Sequence, residues 1–64
     1  MKHVSNLVKF NLVGKDGNAF FLMGAWQGAA KKAGVAKDEI KKVMDDCMSA
    51  DYNHLLQVLM ANSK

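Results

Sequence analysis

The chain has 64 residues, half of them hydrophobic, and a formal net charge of +3. This length allows one small domain, and the hydrophobic fraction argues against an intrinsically disordered chain. The single cysteine excludes an internal disulfide, and neither a secretory leader nor a run of ~20 apolar residues is evident, so we expect a cytoplasmic protein that does not cross a membrane.

Charge is unevenly distributed along the chain, and all nine positive side chains are lysines. Residues 18–37 carry three lysines and no acidic residue, whereas residues 38–51 carry five acidic residues and two lysines. Direct recognition of bases relies strongly on arginine, which is absent. The charge pattern therefore favours a protein partner over a nucleic acid.

Residues 6–13 are predicted to form a β-strand, because Val8, Phe10 and Leu12 alternate with other side chains. An Asp-Gly turn signal follows. A second strand over about 18–23 would complete a hairpin, and it is the alternative to a helix that begins at residue 19. We favour the helix because it needs no additional break in the chain.

Three amphipathic helices are predicted after the turn, over residues 19–33, 37–48 and 52–61. Asn18 is a suitable N-cap for the first helix, and Gly34 is suited to a left-handed cap at its end. The second helix has apolar residues at the spacing of one helical face, namely Ile40, Val43, Met44, Cys47 and Met48.

The whole chain, residues 1–64, is therefore predicted to be a single α+β domain with one N-terminal strand, or a hairpin, followed by three short helices. Either Asp51 or Ser49 can cap the third helix. Trp26 is expected in the core. The core of so short a chain is small and the strand has no evident mate, so we expect a homodimer or a tight complex.

Four short motifs resemble a family of small phage and bacterial proteins that has no established activity. They are DGNAF at 16–20, AGV at 33–35, DEI at 38–40 and DYNHLL at 51–56. The resemblance implies no catalytic residue, and it suggests an accessory protein that modulates or inhibits a host complex, with an anti-defence inhibitor as the concrete candidate. The chain departs from the family pattern at Ala36, usually serine, and at Ala50, usually glycine.

No catalytic, cofactor or metal motif is evident, so we expect a non-enzymatic protein without a cofactor. His3, His54 and Cys47 are the soft metal ligands, and they lack CxxC or HxxxH spacing. Cys47 lies in an apolar stripe next to acidic residues, which is typical of a buried, unreactive thiol. The carboxylates of the second helix are expected on a solvated outer face.

Candidate partner-binding residues are Phe20, Phe21, Lys31, Lys32 and Lys37. A helix cannot bury two adjacent phenylalanines equally well in one small core, so at least one is expected in an interface patch. The three lysines form the densest basic patch. We expect a host or phage protein as the partner, and the alternative is a small nucleic-acid-binding regulator that uses the lysines.

Two surfaces are candidates for a homodimer interface. The predicted strand could pair with its copy in a second chain. Gly24 and Gly28 would also let another helix approach the first helix closely, and close packing within the chain is the more common use of such glycines.

Overall fold

The structure is a computed structural model that describes residues 2–10 and 18–64. It contains three helices, α1 (Ala19–Lys32), α2 (Lys37–Cys47) and α3 (Tyr52–Ala61). Each helix packs against the other two, and α2 and α3 share the most extensive contact. Short connections join the helices.

The ends of α1 are set by a side-chain cap and a glycine. Asn18 accepts a backbone hydrogen bond in the first turn, and Gly34 adopts a positive φ of 82°. The amide of Val35 donates to the carbonyl of Ala30 at 3.0 Å, which closes the helix in a Schellman motif. The alternative of a second strand over 18–23 is therefore wrong, because the helix begins directly after its cap.

The other two helices begin differently from each other. Asp51 caps α3, since its carboxylate accepts the amide of His54 at 2.9 Å. Ala36 occupies the cap position of α2 and makes no side-chain hydrogen bond there. The first turn of α2 therefore lacks one stabilising contact that α1 and α3 both have.

One apolar core lies between the helices. Trp26 is fully buried, as the sequence predicted, and its indole N–H donates to the hydroxyl of Ser63 at 3.1 Å. The buried apolar residues are Val4, Val8, Leu22, Met23, Trp26, Ala30, Ile40, Val43, Cys47, Leu55, Val58 and Leu59. The core therefore draws on all three helices and on the N-terminal residues.

Residues 2–10 form an irregular segment, here called the N-terminal arm, that lies against the helices. Val8 donates from its amide to the carbonyl of Asn62 at 3.0 Å and accepts from the amide of Lys64 at 2.9 Å. This is an isolated parallel bridge rather than a strand. The predicted α+β class is therefore wrong, because helices are the only regular elements within residues 2–10 and 18–64. Residues 11–13 of the predicted strand and the predicted Asp-Gly turn lie outside the described part.

The wrong strand prediction has a physical cause. Val8 and Phe10 do pack against the core, but the apolar surface beneath them is helical. An alternating pattern indicates that a segment presents every second side chain to an apolar surface, and it does not indicate a neighbouring strand. With no strand in the described residues, the expected homodimer through an N-terminal strand loses its basis.

Candidate protein-binding surface

The side of α1 that faces away from the core is apolar over most of its length. Phe20 is 78% exposed and Phe21 is 51% exposed, whereas Trp26 on the opposite side is completely buried. No charged residue occurs in α1 before Lys31. We call this surface the outer face of α1, and it consists of Phe20, Phe21, Gly24, Gly28, Lys31 and Lys32.

The five predicted partner-binding residues are all exposed, but they do not form one cluster. The two phenylalanines lie at the start of α1, and Lys31 and Lys32 lie at its end. Eleven residues at ~1.5 Å each separate the two groups by roughly 16 Å along the helix. Lys37 belongs to the first turn of α2, beyond the basic end of α1.

A groove of about 260 Å³ lies beside the aromatic end of α1. Phe20, Met48 and Tyr52 are its exposed apolar walls, and Asp51 contributes the one charged side chain. We call it the aromatic groove. Its lining extends apolar surface from α1 onto the turn between α2 and α3.

A second groove of about 370 Å³ lies between α1 and α2 at the basic end. Lys31, Lys37 and Lys41 surround an apolar floor of Ile40 and Met44. Lys41 pairs with Asp45 at 3.0 Å, and because that ion pair is largely exposed it contributes little to stability. We call this the lysine groove.

Within the part of the chain that the structure describes, Gly24 and Gly28 do not serve close packing against another helix. A Cβ atom built at either position meets no atom within 4 Å. The more common use of such glycines, contact with another helix of the same chain, is therefore not the one found here. Both glycines leave α1 smooth and open to solvent between its aromatic and basic ends.

A separate polar cluster joins the N-terminal arm to α2 and α3. Nε2 of His3 lies 2.8 Å from one carboxylate oxygen of Asp46, and Nε2 of His54 lies 2.8 Å from the other. Because a carboxylate only accepts hydrogen bonds, each ring must carry its proton on Nε2. The bonds from His3 and then His54 lower the pKa of Asp46 from 3.8 to about 2.

The cluster corrects one expectation. The carboxylate of Asp46 is only 19% exposed and is not part of a solvated outer face, and its bond to His3 holds the N-terminal arm in place. Ser49 lies 3.4 Å from Nε2 of His54, the same nitrogen that binds Asp46. A hydrolytic triad needs its serine and its carboxylate on different nitrogens of the histidine. These hydrogen bonds hold the N-terminal arm to the helices, and they do not activate Ser49 as a nucleophile.

Cys47 is buried next to this cluster. Burial, and to a lesser degree the charge of Asp46, raise the pKa of its thiol to about 11. A thiol with so high a pKa is protonated at neutral pH and is a poor nucleophile. Among residues 2–10 and 18–64, no group of three or more potential ligands is arranged to hold a metal ion.

Sequence reasoning missed the residues that fix the arm. Asn62 is fully buried, and its side-chain oxygen accepts the amides of His3 at 2.6 Å and Val4 at 3.3 Å. Its side-chain nitrogen donates to the carbonyl of Val58 at 2.8 Å. An asparagine near the end of a helix is ordinarily read as a fraying residue, so no local pattern indicated this role.

Comparisons with known proteins give no match to the chain, whether with family models, with curated proteins or with solved structures. None of the helices in the described residues has the length and apolar composition required to traverse a bilayer. The outer face of α1, the aromatic groove and the lysine groove are therefore the structural features that bear on function.

Proposed function

We propose that the protein is a small, non-enzymatic protein-binding module and that the outer face of α1 is its binding surface. The observation that carries this proposal is the exposure of Phe20 and Phe21, at 78% and 51%. Burial of one such side chain contributes ~1.5–3 kcal/mol. Helices that are apolar on all sides are usually buried on all sides. In α1 the side that carries Phe20 and Phe21 is exposed instead.

The two ends of the surface have different roles in this proposal. Aromatic residues are enriched among the residues that dominate binding energy, so Phe20 and Phe21 are the expected anchors. Lys31 and Lys32 are exposed rim charges, which mainly increase the rate of association. The matching partner surface is apolar at its centre and acidic where it meets the lysines.

The class of partner is inferred from the four short sequence motifs. The resemblance to small phage and bacterial proteins supports a host or phage protein as the partner, and an inhibitor of a host defence complex is the concrete candidate. The lysine groove suits an acidic segment of such a partner, because Lys31, Lys37 and Lys41 surround an apolar floor.

Nucleic-acid binding through Lys31, Lys32 and Lys37 is the competing function. A phosphate backbone would satisfy these lysines, but it offers nothing to two exposed phenylalanines. Arginine is absent from the chain, and five acidic residues lie within 38–51. Both facts favour a protein partner.

The proposal is tested by site-specific photocrosslinking in the cell that produces the protein. A photoreactive phenylalanine analogue replaces Phe21 in one variant and Met60 in a matched control, since Met60 is equally exposed but lies on α3. We expect a discrete protein adduct from position 21, identified by mass spectrometry, and none from position 60. Equal labelling from both positions, or none from either, would overturn the proposal.

The nucleic-acid alternative is tested with purified protein. Binding to duplex DNA is measured by fluorescence anisotropy at low salt, for the native chain and for Lys31→Glu with Lys32→Glu. We expect no specific retention of DNA. Binding that falls steeply with salt and disappears in the double variant would replace the proposed function with the regulator.

A further inference from the structure

The outer face of α1 is aromatic at one end and basic at the other, with two glycines between them, and this polarity indicates what covers it. Its six residues form three pairs, and the two members of a pair lie the same number of positions before and after Trp26 in the sequence. Two pairs join a phenylalanine to a lysine and the third joins two glycines: Phe20 with Lys32, Phe21 with Lys31 and Gly24 with Gly28. At about 100° per residue, all six lie within roughly 60° of the direction opposite the buried Trp26. When the helix is turned end over end, its aromatic end therefore takes the place of its basic end, and the two glycines exchange places.

We propose that the partner of this face is a second copy of the chain, packed with its α1 antiparallel about a two-fold axis level with Trp26. This inference rests on the proposed function and names a second copy, in place of a host or phage protein, as the occupant of the same surface. A two-fold interface uses the same patch on both copies, so the patch must complement itself. The outer face meets that requirement because its aromatic end then lies against the basic end of the other copy.

The glycines determine how close the helices approach. In this arrangement Gly24 of each copy is level with Gly28 of the other. A Cβ atom added at either position would meet no other part of residues 2–10 and 18–64 within 4 Å, so these residues leave the space above the glycines free. Two helices that meet at glycines approach more closely than the usual 8–10 Å, which brings the flanking phenylalanines into contact with the opposite chain.

Charge complementarity supports the antiparallel orientation. Lys31 and Lys32 of one copy lie level with Phe20 and Phe21 of the other, where ammonium groups can contact aromatic rings. Asp51 lines the aromatic groove beside Phe20, so its carboxylate faces the same lysines. A parallel arrangement would instead place all four lysines together.

The exposed apolar side chains supply most of the area that a specific contact needs. A stable interface needs about 600 Å² from each copy, which is roughly 15% of the 4087 Å² exposed by one chain. Large apolar side chains of the outer face and the aromatic groove supply about 450 Å² of this, taking roughly 200 Å² for one fully exposed side chain. They are Phe20, Phe21, Met48 and Tyr52.

The first test is the mass of the purified chain by sedimentation equilibrium over a wide range of concentration. We expect twice the 7.0 kDa of one chain at the upper end of the range. Phe20→Ser removes an anchor twice per dimer, so we expect its dimer Kd to rise about 100-fold. The matched control, Met60→Ser, removes another large exposed side chain, 56% exposed and on α3, and should leave Kd within about 3-fold.

A second variant separates dimer loss from unfolding. Gly24→Gln with Gly28→Gln improves helix propensity in the single chain, so its thermal midpoint at low concentration should rise. The same side chains would hold two copies apart, so we expect a monomer at all concentrations. A dimer that tolerates these substitutions would overturn the inference.

The orientation is tested by disulfide formation between variants that carry one new cysteine each. Antiparallel packing brings Gly24→Cys of one chain against Gly28→Cys of another, within the ~4.4–6.8 Å between Cα atoms that a disulfide needs. We expect a mixture of the two variants to give the crosslinked pair in preference to either alone. Crosslinking of each variant with itself would indicate a parallel pair and refute the arrangement.

The outcomes separate this inference from the proposed function. A chain that is monomeric throughout, but crosslinks from position 21 to a different protein, refutes the dimer and leaves the binding module standing. A monomer that crosslinks to nothing refutes both. A self-adduct from position 21, together with the loss of the dimer in Phe20→Ser, supports both.

Discussion

The missing cap of α2 provides a direct test of how this helix is stabilised. Ala36 precedes the helix with φ −64° and ψ 147°, which are dihedral angles that a serine cap adopts without change. The residue is exposed, so a hydroxyl there stays in contact with water. The hydroxyl in Ala36→Ser is positioned to accept the amide of Glu39, one of the donors left open in the first turn.

The magnitude follows from the contacts of Glu39. In a full capping box the glutamate would bind back to the amide of the cap residue. Here the two oxygens of its carboxylate accept from Ser5, from the amide at 3.3 Å and from the hydroxyl at 3.1 Å. Only the serine half of the box is therefore gained. We expect ~1 kcal/mol in the free energy of unfolding, which corresponds to ~4–8 °C in Tm for a domain of this size.

Thermal unfolding followed by the fluorescence of Trp26, the single and fully buried tryptophan, measures the effect. Protein concentration is held constant, because association would shift Tm by mass action. Ala33→Ser is the matched control. Like Ala36, Ala33 is exposed, but it follows α1 and does not precede a helix. A Tm that is unchanged in Ala36→Ser, or that rises equally in the control, would refute the capping argument.

Three further predictions concern the polar cluster, the arm and the basic end of α1. The pKa of Asp46 is lowered to about 2, so its bonds stabilise the folded state above pH ~4 and are lost as the pH falls towards 2. Asp46→Asn should therefore have a lower Tm at pH 7 and lose less stability than the native chain between pH 4 and 2, as measured by thermal unfolding across that range. Asn62→Ala leaves two arm amides without an acceptor, so we expect a loss of roughly 2–3 kcal/mol in denaturant unfolding and faster hydrogen exchange of the Val8 amide. Lys31→Glu with Lys32→Glu should leave the circular dichroism spectrum unchanged and slow association with the partner, by less at high salt, in a surface-binding time course.

The helices follow from local signals in the sequence. Asn18 and Gly34 cap α1 as predicted, and of the two candidates for α3, Asp51 and Ser49, it is Asp51 that caps the helix. These signals act over a few residues, so one sequence is enough to detect them. The strand prediction failed because alternation at Val8 and Phe10 is also produced when an irregular segment lies on a helical surface.

The candidate site was only partly accessible to sequence reasoning. Adjacent phenylalanines indicated that at least one would be exposed, and both Phe20 and Phe21 are. The contact between His3 and Asp46 joins residues that are 43 positions apart. Periodicity and capping rules describe neighbours along the chain, so they contain no information about such a contact.

The N-terminal arm has a consequence for the order in which the chain folds and opens. His3 and Asn62 are 59 positions apart, so their hydrogen bond closes a loop that spans nearly the whole chain. Loop closure of this length carries an entropic cost that the helices, with their local hydrogen bonds, do not have. We therefore expect the arm to dock on a surface that the helices have already formed, and to be the first part to detach. Each detachment uncovers the apolar surface beneath Val4 and Val8, which links brief opening of the arm to the risk of aggregation.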